Sequence, residues 1–363
     1  MGLTCGIVGL PNSGKTTLFN AFTASRADRA VYPFSTTEAS EAKVEVPDER
    51  LETIHGFIET ERIVPAAVDV VDIPGLVTGA STGKGLGNKF LGHIKECDAL
   101  LHVVRCFKNP DVVREGAVDP AHDMEELELE LAMADLDTVT RAHERVSKKA
   151  RAGDKQAIFE QGVFARAKEL LEDGTQLRQA EWSKVEAQAL RPLFLITLKP
   201  VLYVANIDQD DLAGESAWSV EVRAHAEHMG SQSIELCGDL ECELVNMEPD
   251  DRAEFQRELA IPELGMPRLI RATYHLLGLQ TFFTAGPKEI RAWTIRKGDT
   301  GPLAAGVIHT DFEKGYVRAE VYSVDDLVEH GSEAAIKAAG KLRIEGRDYV
   351  MREGDVAHFL VSR

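Results

Sequence analysis

The sequence predicts an α/β fold that combines a parallel sheet, a helical insertion and a small strand-rich domain at the carboxyl end. Near-continuous apolar runs at 99–106 and 200–206 are typical of parallel strands covered on both faces. Between these runs, residues 123–150 and 154–173 carry apolar side chains at helical spacing. From about residue 281 the pattern alternates as it does in strands.

Length and composition indicate a globular cytosolic protein. A chain of 363 residues suggests two or three domains, and 44% hydrophobic residues can form sizeable cores. No run of about 18 apolar residues is present, so we expect no membrane span. The first ten residues lack the basic region and cleavage site of a signal peptide. The five cysteines lack metal-ligand spacing, which favours reduced thiols in the cytosol.

The charge is strongly acidic and unevenly distributed. A formal net charge of −19 argues against general affinity for DNA, so we expect no sequence-specific DNA partner. Residues 281–363, however, carry 12 Lys and Arg against 13 Asp and Glu. This nearly neutral segment repels a phosphate backbone least.

Residues 9–16, Gly-Leu-Pro-Asn-Ser-Gly-Lys-Thr, match G-x-x-x-x-G-K-[ST] at every fixed position. An apolar run precedes them and a helical pattern follows, as a phosphate-binding loop requires. The glycines let backbone N–H groups face an anion, and the helix dipole adds attraction. Lys15 is expected to bind the β- and γ-phosphates and the Thr16 hydroxyl to bind Mg²⁺. The predicted phosphate-binding residues are Asn12, Ser13, Gly14, Lys15, Thr16 and Thr17.

Two further segments follow in the order that a nucleotide-switched hydrolase needs. Thr36 lies in a polar loop before a short strand, and we expect it to contact Mg²⁺ and the γ-phosphate. A strand at 67–72 ends in Asp72-x-x-Gly75; the carboxylate would hold the metal through water, and the Gly75 N–H would contact the γ-phosphate. The predicted catalytic residues are Lys15, Thr36 and Gly75, and the predicted metal ligands are Thr16, Thr36 and Asp72.

Leu76 follows Gly75 at the position where Ras-like enzymes use a Gln to orient the attacking water. Leucine cannot hydrogen-bond water, so unassisted hydrolysis should be slow, at roughly 10⁻⁴ to 10⁻² s⁻¹. An ion or a partner would then have to complete the site. Asn12 could ligate a K⁺ ion that replaces an arginine finger, or it could simply cap the loop.

The base-reading segment is Asn206-Ile207-Asp208-Gln209, where guanine readers have N-K-x-D. The Asp of that motif accepts from two guanine N–H groups together, whereas Gln209 offers one acceptor and one donor. That pair matches adenine, and losing the bidentate contact should cost guanine about 1–3 kcal/mol. We therefore expect ATP to bind more tightly than GTP. In the alternative, Gln209 points to solvent, and Ile207 and Cys237 only sandwich the base.

Together these motifs resemble the YchF family of Obg-like ATPases, within the translation-factor class of P-loop NTPases. The resemblance lies in GLPNSGKTTLFNA, YPFSTTEA, VPDERL, the run from DIPGLVTGASTGKGLG to VVRCF, and the C-terminal run that begins QTFFTAGPKEIRAW. It implies a P-loop (Ras-like) domain at 1–122 and 197–280, an antiparallel helical coiled-coil insertion at 123–196, and a β-grasp-like TGS domain at 281–363. It also implies a ribosome-associated ATPase that prefers ATP to GTP.

Two positions depart from the family pattern. The family usually shows N-x-x-E in the base motif, where this chain has Gln209. A loop near 109–116 commonly holds a His that has been proposed to assist hydrolysis, and the aligned residue here is Arg114. A guanidinium can stabilise charge but cannot act as a base near pH 7.

The helical insertion is predicted to be two antiparallel helices packed along one apolar seam. The first would contribute Met124, Leu127, Leu131 and Ala134, and the second Ile158, Phe164, Ala167 and Leu171. The turn between them carries Arg145, Lys148, Lys149, Arg151 and Lys155 against Asp154 alone. This local reversal of charge is either a solvated helix tip or a contact for phosphate or rRNA.

The residues together with the resemblance favour a cytoplasmic Mg²⁺-dependent ATPase; the resemblance implies that it acts on the ribosome or rRNA, through the insertion tip and the TGS domain. Two alternatives stay open: a GTPase of the same class, and a regulatory ribosome- or RNA-binding module whose hydrolysis is incidental. A metabolic P-loop kinase is disfavoured, because such an enzyme has no use for the Asp72-x-x-Gly75 segment.

Overall fold

The computed structural model describes residues 3–24, 40–74, 86–108, 117–259, 261 and 263–362. Its strands are β1 (Thr4–Val8), β2 (Ser40–Glu45), β3 (Ile63–Val64), β4 (Ala67–Asp72), β5 (Ala99–Cys106), β6 (Val201–Ile207), β7 (Gln232–Leu236), β8 (Leu279–Thr284), β9 (Ile290–Arg296), β10 (Tyr316–Ser323), β11 (Arg343–Glu345) and β12 (Asp355–Val361). Its helices are α1 (Lys15–Ala24), α2 (Arg50–His55), α3 (Leu86–Glu96), α4 (Pro120–Ala150), α5 (Lys155–Glu172), α6 (Lys184–Leu190), α7 (Ala217–His228), α8 (Gly238–Val245), α9 (Pro249–Glu258), α10 (Gly265–Leu276), α11 (Gly301–Ile308), α12 (Thr310–Gly315), α13 (Val324–His330) and α14 (Glu333–Ala338). Short 3₁₀ helices lie at Leu177–Gln179, Arg191–Leu193, Ile196–Leu198 and Gln209–Asp211.

The described residues fall into two compact units, drawn from Met1–Lys43 with Asp69–Leu269 and from Val44–Val68 with Ile270–Arg363. The first contains a six-stranded sheet in the order β2-β4-β1-β5-β6-β7. The pairs from β4 to β7 are all parallel. Every residue of β5 and β6 is buried, which confirms the interpretation of their apolar runs as central strands covered on both faces.

Helices α4 and α5 form the predicted antiparallel pair. Asp119 caps the amino end of α4 by accepting a hydrogen bond from the His122 N–H, and Asp154 caps α5 by accepting from the Ala157 N–H. Far from the sheet, Val139, Ala142 and Val146 of α4 pack with residues of α5 in one apolar cluster. Even α4, with 31 residues, is too polar for a membrane span, and no other described helix has the length and hydrophobicity to cross a bilayer.

The predicted seam is wrong on the α4 side, where Met124, Leu127, Leu131 and Ala134 all lie outside the cluster shared with α5. Met124, Leu127 and Leu131 belong to the apolar core of the first sheet, where they pack with buried strand residues. Ile158 of α5 is 52% exposed and lies outside the seam. A helical stripe does not specify its partner, so one continuous stripe along α4 serves the sheet at one end and α5 at the other.

The second unit contains a mixed six-stranded sheet in the order β11-β10-β12-β8-β9-β3. Its central strands β8 and β12 are parallel, whereas β8 with β9 and β10 with β12 are antiparallel. In sequence, helices α11 and α12 lie between β9 and β10, and helices α13 and α14 lie between β10 and β11. A parallel central pair flanked by antiparallel neighbours is the β-grasp-like arrangement that the sequence predicts for the carboxyl end.

Residues 44–68 contribute to this second unit, a feature that the sequence did not reveal. Strand β3 pairs in parallel with β9, and the Glu61 N–H donates to the Pro287 carbonyl. Arg50 of α2 forms ion pairs with Asp48 and Glu353 at 2.6 Å each. A two-residue strand carries no periodic signal, so the pattern predicts this segment as part of the nucleotide-binding domain. The domain boundaries at 122, 196 and 280 stay predictions.

Candidate nucleotide-binding site

The phosphate loop connects β1 to α1 at the carboxyl edge of the parallel sheet, where ligands bind in open α/β folds. Its backbone is left-handed at Asn12 (φ 65°) and Gly14 (φ 94°). A Cβ atom on residue 14 would lie 2.0 Å from Nδ2 of Asn206. Only glycine fits at that position, because both the conformation and the space exclude a side chain.

Lys15 is the first residue of α1, and its side chain is buried. Its Nζ donates a 2.8 Å hydrogen bond to the Leu10 carbonyl across the loop. Burial lowers the pKa of Lys15 to about 8, and the Asp72 carboxylate opposes that shift. A desolvated ammonium at the head of a helix is a favourable partner for an anion.

Thr16 and Asp72 lie in contact beside the loop. Asp72 is the last residue of β4 and stands opposite Ile7 of β1. Burial raises the pKa of Asp72, whereas Lys15 and a hydrogen bond from the Thr16 hydroxyl lower it. Carboxylate and hydroxyl oxygens are the hard ligands that Mg²⁺ prefers. The donor set of these two predicted metal ligands therefore fits the ion.

Ser13 presents a buried hydroxyl to the loop. Its Oγ makes no hydrogen bond within the described residues. Buried polar groups are normally satisfied, so an unpaired hydroxyl in a phosphate loop indicates a site built for a ligand oxygen.

Asn206 joins three walls of the site. Its Nδ2 donates to the Ser13 carbonyl at 3.0 Å, and its Oδ1 accepts from the Gly238 N–H at 2.9 Å. The last residues of β6 are thereby tied to the phosphate loop and to the start of α8. Each end of the amide makes one bond to protein, so Asn206 positions the walls of the site. An amide has two N–H donors and two acceptor lone pairs, and the predicted contact of Asn206 with the base stays a prediction.

A cavity of about 570 Å³ opens between the phosphate loop, the ends of β5 and β6 and the turn after β7. This volume is within the range of small-molecule sites, roughly 300–1,000 Å³. Its lining residues are Asn12, Gly14, Lys15, Thr16, Thr17, Phe107, Lys108, Asn206, Ile207, Asp208, Gln209, Asp210, Cys237 and Asp239. The structure thus brings together the predicted nucleotide-binding residues, all but the buried Ser13 on one cavity surface.

The predicted base-contacting residues differ in exposure. Ile207 is 2% exposed and Cys237 is 5% exposed, and burial raises the pKa of the Cys237 thiol. Gln209 is exposed at the start of a 3₁₀ helix. Two apolar surfaces and one adaptable amide therefore stand at this end of the cavity.

Sequence reasoning missed five residues that line the cavity, namely Phe107, Lys108, Asp208, Asp210 and Asp239. Phe107 and Lys108 directly follow β5, which lies between β1 and β6. Residues just past the carboxyl ends of adjacent parallel strands meet at one edge, and this rule was the available signal. Asp208 and Asp210 flank Gln209, and Asp239 lies two residues after Cys237.

Comparisons with known proteins place these features in a family. Residues 4–142 match a family model described as 50S ribosome-binding GTPase. Residues 279–362 match YchF-GTPase_C, described as a protein of unknown function (DUF933). The chain is 47% identical over 360 residues to the "Ribosome-binding ATPase YchF" of Pasteurella multocida, covering 99% of both chains. The chain belongs to the YchF family.

Other YchF-family members agree over the full length. The Bacillus subtilis "Ribosome-binding ATPase YchF" is 45% identical, covering 99% of both chains. The Gallus gallus "Obg-like ATPase 1" is 40% identical, covering 98% of this chain and 92% of its own. The solved structure of the Schizosaccharomyces pombe "YchF GTPase" superposes with a TM-score of 0.88 at 37% identity, covering 99% of this chain and 98% of its own. These names differ on the nucleotide, so they do not by themselves decide the base.

Four residues singled out in this YchF-family sequence lie outside the described residues: Thr36, Gly75, Leu76 and Arg114. Their expected roles at the γ-phosphate stay predictions. The predicted ligands that the structure does bring into contact are Thr16 and Asp72.

Proposed function

We propose that this chain is a cytoplasmic, ribosome-associated ATPase that hydrolyses ATP to ADP and phosphate and changes conformation with its nucleotide state. The observation that carries the proposal is the phosphate loop: Lys15 is buried at the head of α1, and the Thr16 hydroxyl contacts the Asp72 carboxylate. YchF relatives that match the whole chain bear the name ribosome-binding ATPase.

The site residues have separate expected roles in binding phosphate and Mg²⁺. Lys15 and the backbone of 12–17 bind the phosphates, while Thr16, Asp72 and Thr36 would hold Mg²⁺. When bound, the ion neutralises charge on the phosphate oxygens. The Gly75 N–H would contact the γ-phosphate and report its presence.

Turnover tests this proposal directly. The unmutated chain should hydrolyse ATP slowly alone and faster with ribosomes, whereas Lys15→Ala should hydrolyse none in either condition because it loses the buried cation. Function of Lys15→Ala in cells would favour the alternative of a binding module with incidental hydrolysis.

The base is the second part of the proposal: ATP binds more tightly than GTP. Asn206 is held between the loop and α8, and it lines the cavity together with Ile207, Gln209 and Cys237. Of these four residues, Gln209 is expected to distinguish adenine from guanine. Dissociation constants for ATP and GTP should favour ATP. Gln209→Asp should shift their ratio toward GTP by roughly 5- to 150-fold, the equivalent of about 1–3 kcal/mol.

A matched control for that variant is Gln188→Asp, which adds the same charge at an exposed residue of α6. Its nucleotide ratio should equal that of the unmutated chain. Tighter binding of GTP than of ATP by the unmutated chain would instead support the GTPase alternative, the name carried by the Schizosaccharomyces pombe relative.

A K⁺ ion is proposed to supply the positive charge that an arginine finger would otherwise bring to the site. Leu76 supplies no group to orient water, and left-handed Asn12 stands on the cavity wall where a monovalent ion could bind. Turnover in KCl should exceed turnover in NaCl at equal ionic strength, and Asn12→Ala should remove the difference. Equal rates in the two salts would exclude the role.

The ribosomal contact is proposed to include the basic tip, which we define as Arg145, Lys148, Lys149, Arg151 and Lys155. All five side chains are exposed, and none forms an ion pair with another described residue. Unneutralised cations on a chain of net charge −19 favour a phosphate backbone such as that of rRNA. The C-terminal domain, proposed to be a TGS domain, would add a second contact.

Ribosome co-sedimentation at several salt concentrations tests the tip. Replacing Lys148, Lys149 and Arg151 by alanine should weaken binding and reduce its salt slope by about one per cation removed. Alanine at Arg141, Lys168 and Lys184 removes three cations elsewhere on the same helical hairpin and α6, and it should leave the slope unchanged. The same slope for both triple variants would exclude the tip as the contact.

A further inference from the structure

We propose that Asp208 is a positioning residue that holds the Phe107 wall of the base pocket. The inference rests on the proposed function, because it concerns the same nucleotide cavity. Asp208 lies between Ile207 and Gln209, and its Oδ2 accepts a 2.9 Å hydrogen bond from the Lys108 N–H. Phe107, Lys108 and Asp208 all line the cavity.

The bond continues the strand pairing beyond its last backbone partner. Strands β5 and β6 are paired in parallel up to Cys106 opposite Ile207. One residue further on, the Asp208 carboxylate takes the place of a backbone carbonyl and captures the Lys108 N–H. The loop after β5 is thereby fixed to the loop that reads the base.

The peptide group between Phe107 and Lys108 is held from both sides. Its N–H donates to Asp208, and its carbonyl accepts a 3.2 Å hydrogen bond from Nε of Arg105. The Arg105 guanidinium also lies 4.9 Å from the centre of the Phe107 ring. With its peptide plane and its ring both constrained, the aromatic side chain has a defined place beside the cavity.

That place is at the junction of the phosphate and base ends. A Cβ built on Gly14 would lie 3.9 Å from Cε1 of Phe107, so the ring borders the phosphate loop. A flat aromatic face on this wall can stack on a purine, and stacking discriminates little between bases. Asp208 should therefore affect nucleotide affinity through the base, without acting on the phosphates.

Dissociation constants for ATP and for inorganic tripolyphosphate separate these two effects. Asp208→Ala should weaken ATP about tenfold, because it removes a charge-assisted hydrogen bond that holds the wall. Tripolyphosphate has no base, so its affinity should change by less than about twofold. Asp208→Asn keeps an oxygen acceptor and should restore most of the ATP affinity.

Asp98→Ala is the matched control. Asp98 also accepts one backbone N–H bond of 2.9 Å, from Thr4, but at the amino ends of β1 and β5. The Asp98→Ala variant loses the same charge and the same kind of hydrogen bond as Asp208→Ala. ATP and tripolyphosphate should both bind to it as they do to the unmutated chain.

Four results would overturn the inference. Equal weakening of ATP and tripolyphosphate in Asp208→Ala would mean that the residue supports the whole site. Unchanged ATP affinity in Asp208→Ala, or the same loss in Asp98→Ala, would mean that the wall does not depend on this bond. Failure of the unmutated chain to bind ATP at all would overturn the proposed function, and the inference with it.

Discussion

The phosphate loop leaves almost no room for additional atoms. Gly14 approaches the Asn206 amide closely, and a Cβ on Gly9 would lie 2.5 Å from the Val103 carbonyl. These contacts are with backbone or with a side chain that is itself hydrogen-bonded, so neither can move without breaking other bonds. Small changes at single residues should therefore have large effects here.

Gly14→Ala is expected to destabilise the protein and to abolish ATP binding. The alanine would be strained at φ 94° and would overlap Nδ2 of Asn206. The left-handed strain alone costs about 1–2 kcal/mol, and displacing Asn206 leaves buried polar groups unpaired at about 1–3 kcal/mol more. Urea unfolding and ATP titration measure the two effects.

Gly162→Ala provides the contrast. Gly162 lies within α5, and a Cβ there meets no atom within 4 Å. Alanine is the better helix former, so stability should stay the same or rise by up to about 1 kcal/mol. If both variants lose equal stability, close packing at residue 14 is not the cause.

At this scale the sequence predicted chemistry better than contacts. The glycines, Lys15 and Thr16 follow from the loop pattern because phosphate binding demands those residue types at that spacing. The two hydrogen bonds of Asn206 to protein did not follow. Its position predicts a contact with the base, which stays a prediction, and gives no sign of the bonds to Ser13 and Gly238, which are far away in sequence. Pairings of that kind depend on the folded sheet.

Helix α4 connects the nucleotide-binding sheet to the helical hairpin, and one buried side chain fixes it at the junction. Asp135 is fully buried and accepts hydrogen bonds from the Ile196 N–H, the Thr197 N–H and the Thr197 hydroxyl. Burial raises the pKa of Asp135, and these three bonds oppose the shift. The 3₁₀ helix before β6 is thereby held against α4.

Asp135→Ala is expected to destabilise the first unit by about 2–4 kcal/mol, because two buried N–H groups lose their partner. Asp137→Ala on the same helix is the control: its carboxylate is 58% exposed and pairs with Arg141 at 2.8 Å. An exposed pair contributes at most about 1 kcal/mol. Chemical denaturation of both variants measures the difference, and equal losses would contradict the role assigned to Asp135.

At the scale of elements, existence and order were predictable and partners were not. The phosphate loop, the strands at 99–106 and 200–206 and the two insertion helices lie where the patterns indicate. The stripe of α4 was assigned to one partner although it serves two. The patterns did not show that strand β3 joins the second sheet and that helix α2 belongs to the same unit, because β3 pairs with residues of β9 more than 200 positions away.

Across the first unit, a buried polar cluster links β5, β6, α4 and α7. The Tyr203 hydroxyl donates to Oε1 of Glu128, and His225 Nε2 lies 3.0 Å from the same oxygen. The rings of His102 and Tyr203 are 5.3 Å apart. Burial lowers the pKa of His102 to about 4, with Glu128 opposing the shift and His225, Arg178 and Lys15 adding to it.

This shift makes the stability of the molecule depend on pH with a definite sign. In the unfolded state His102 should titrate at about pH 6.5, so between about pH 6.5 and about pH 4 the unfolded state binds a proton that the folded state does not. The stabilisation of the folded state by neutral His102 is fully present above about pH 6.5 and is lost as the pH falls toward about 4. Its full size is about 3 kcal/mol.

His102→Gln should therefore flatten the fall in stability between about pH 6.5 and 4.5, whatever its stability at neutral pH, because glutamine does not titrate. Tryptophan fluorescence in urea can follow the first unit, which contains Trp182 and Trp218, once Trp293 of the second unit is replaced by phenylalanine in both proteins. Carboxylates outside the cluster titrate alike in the two proteins, so the difference in slope reports His102 together with its interaction with Glu128. Parallel curves of unfolding free energy against pH would contradict the prediction. They would show that His102 is protonated as readily in the folded protein as in the unfolded chain.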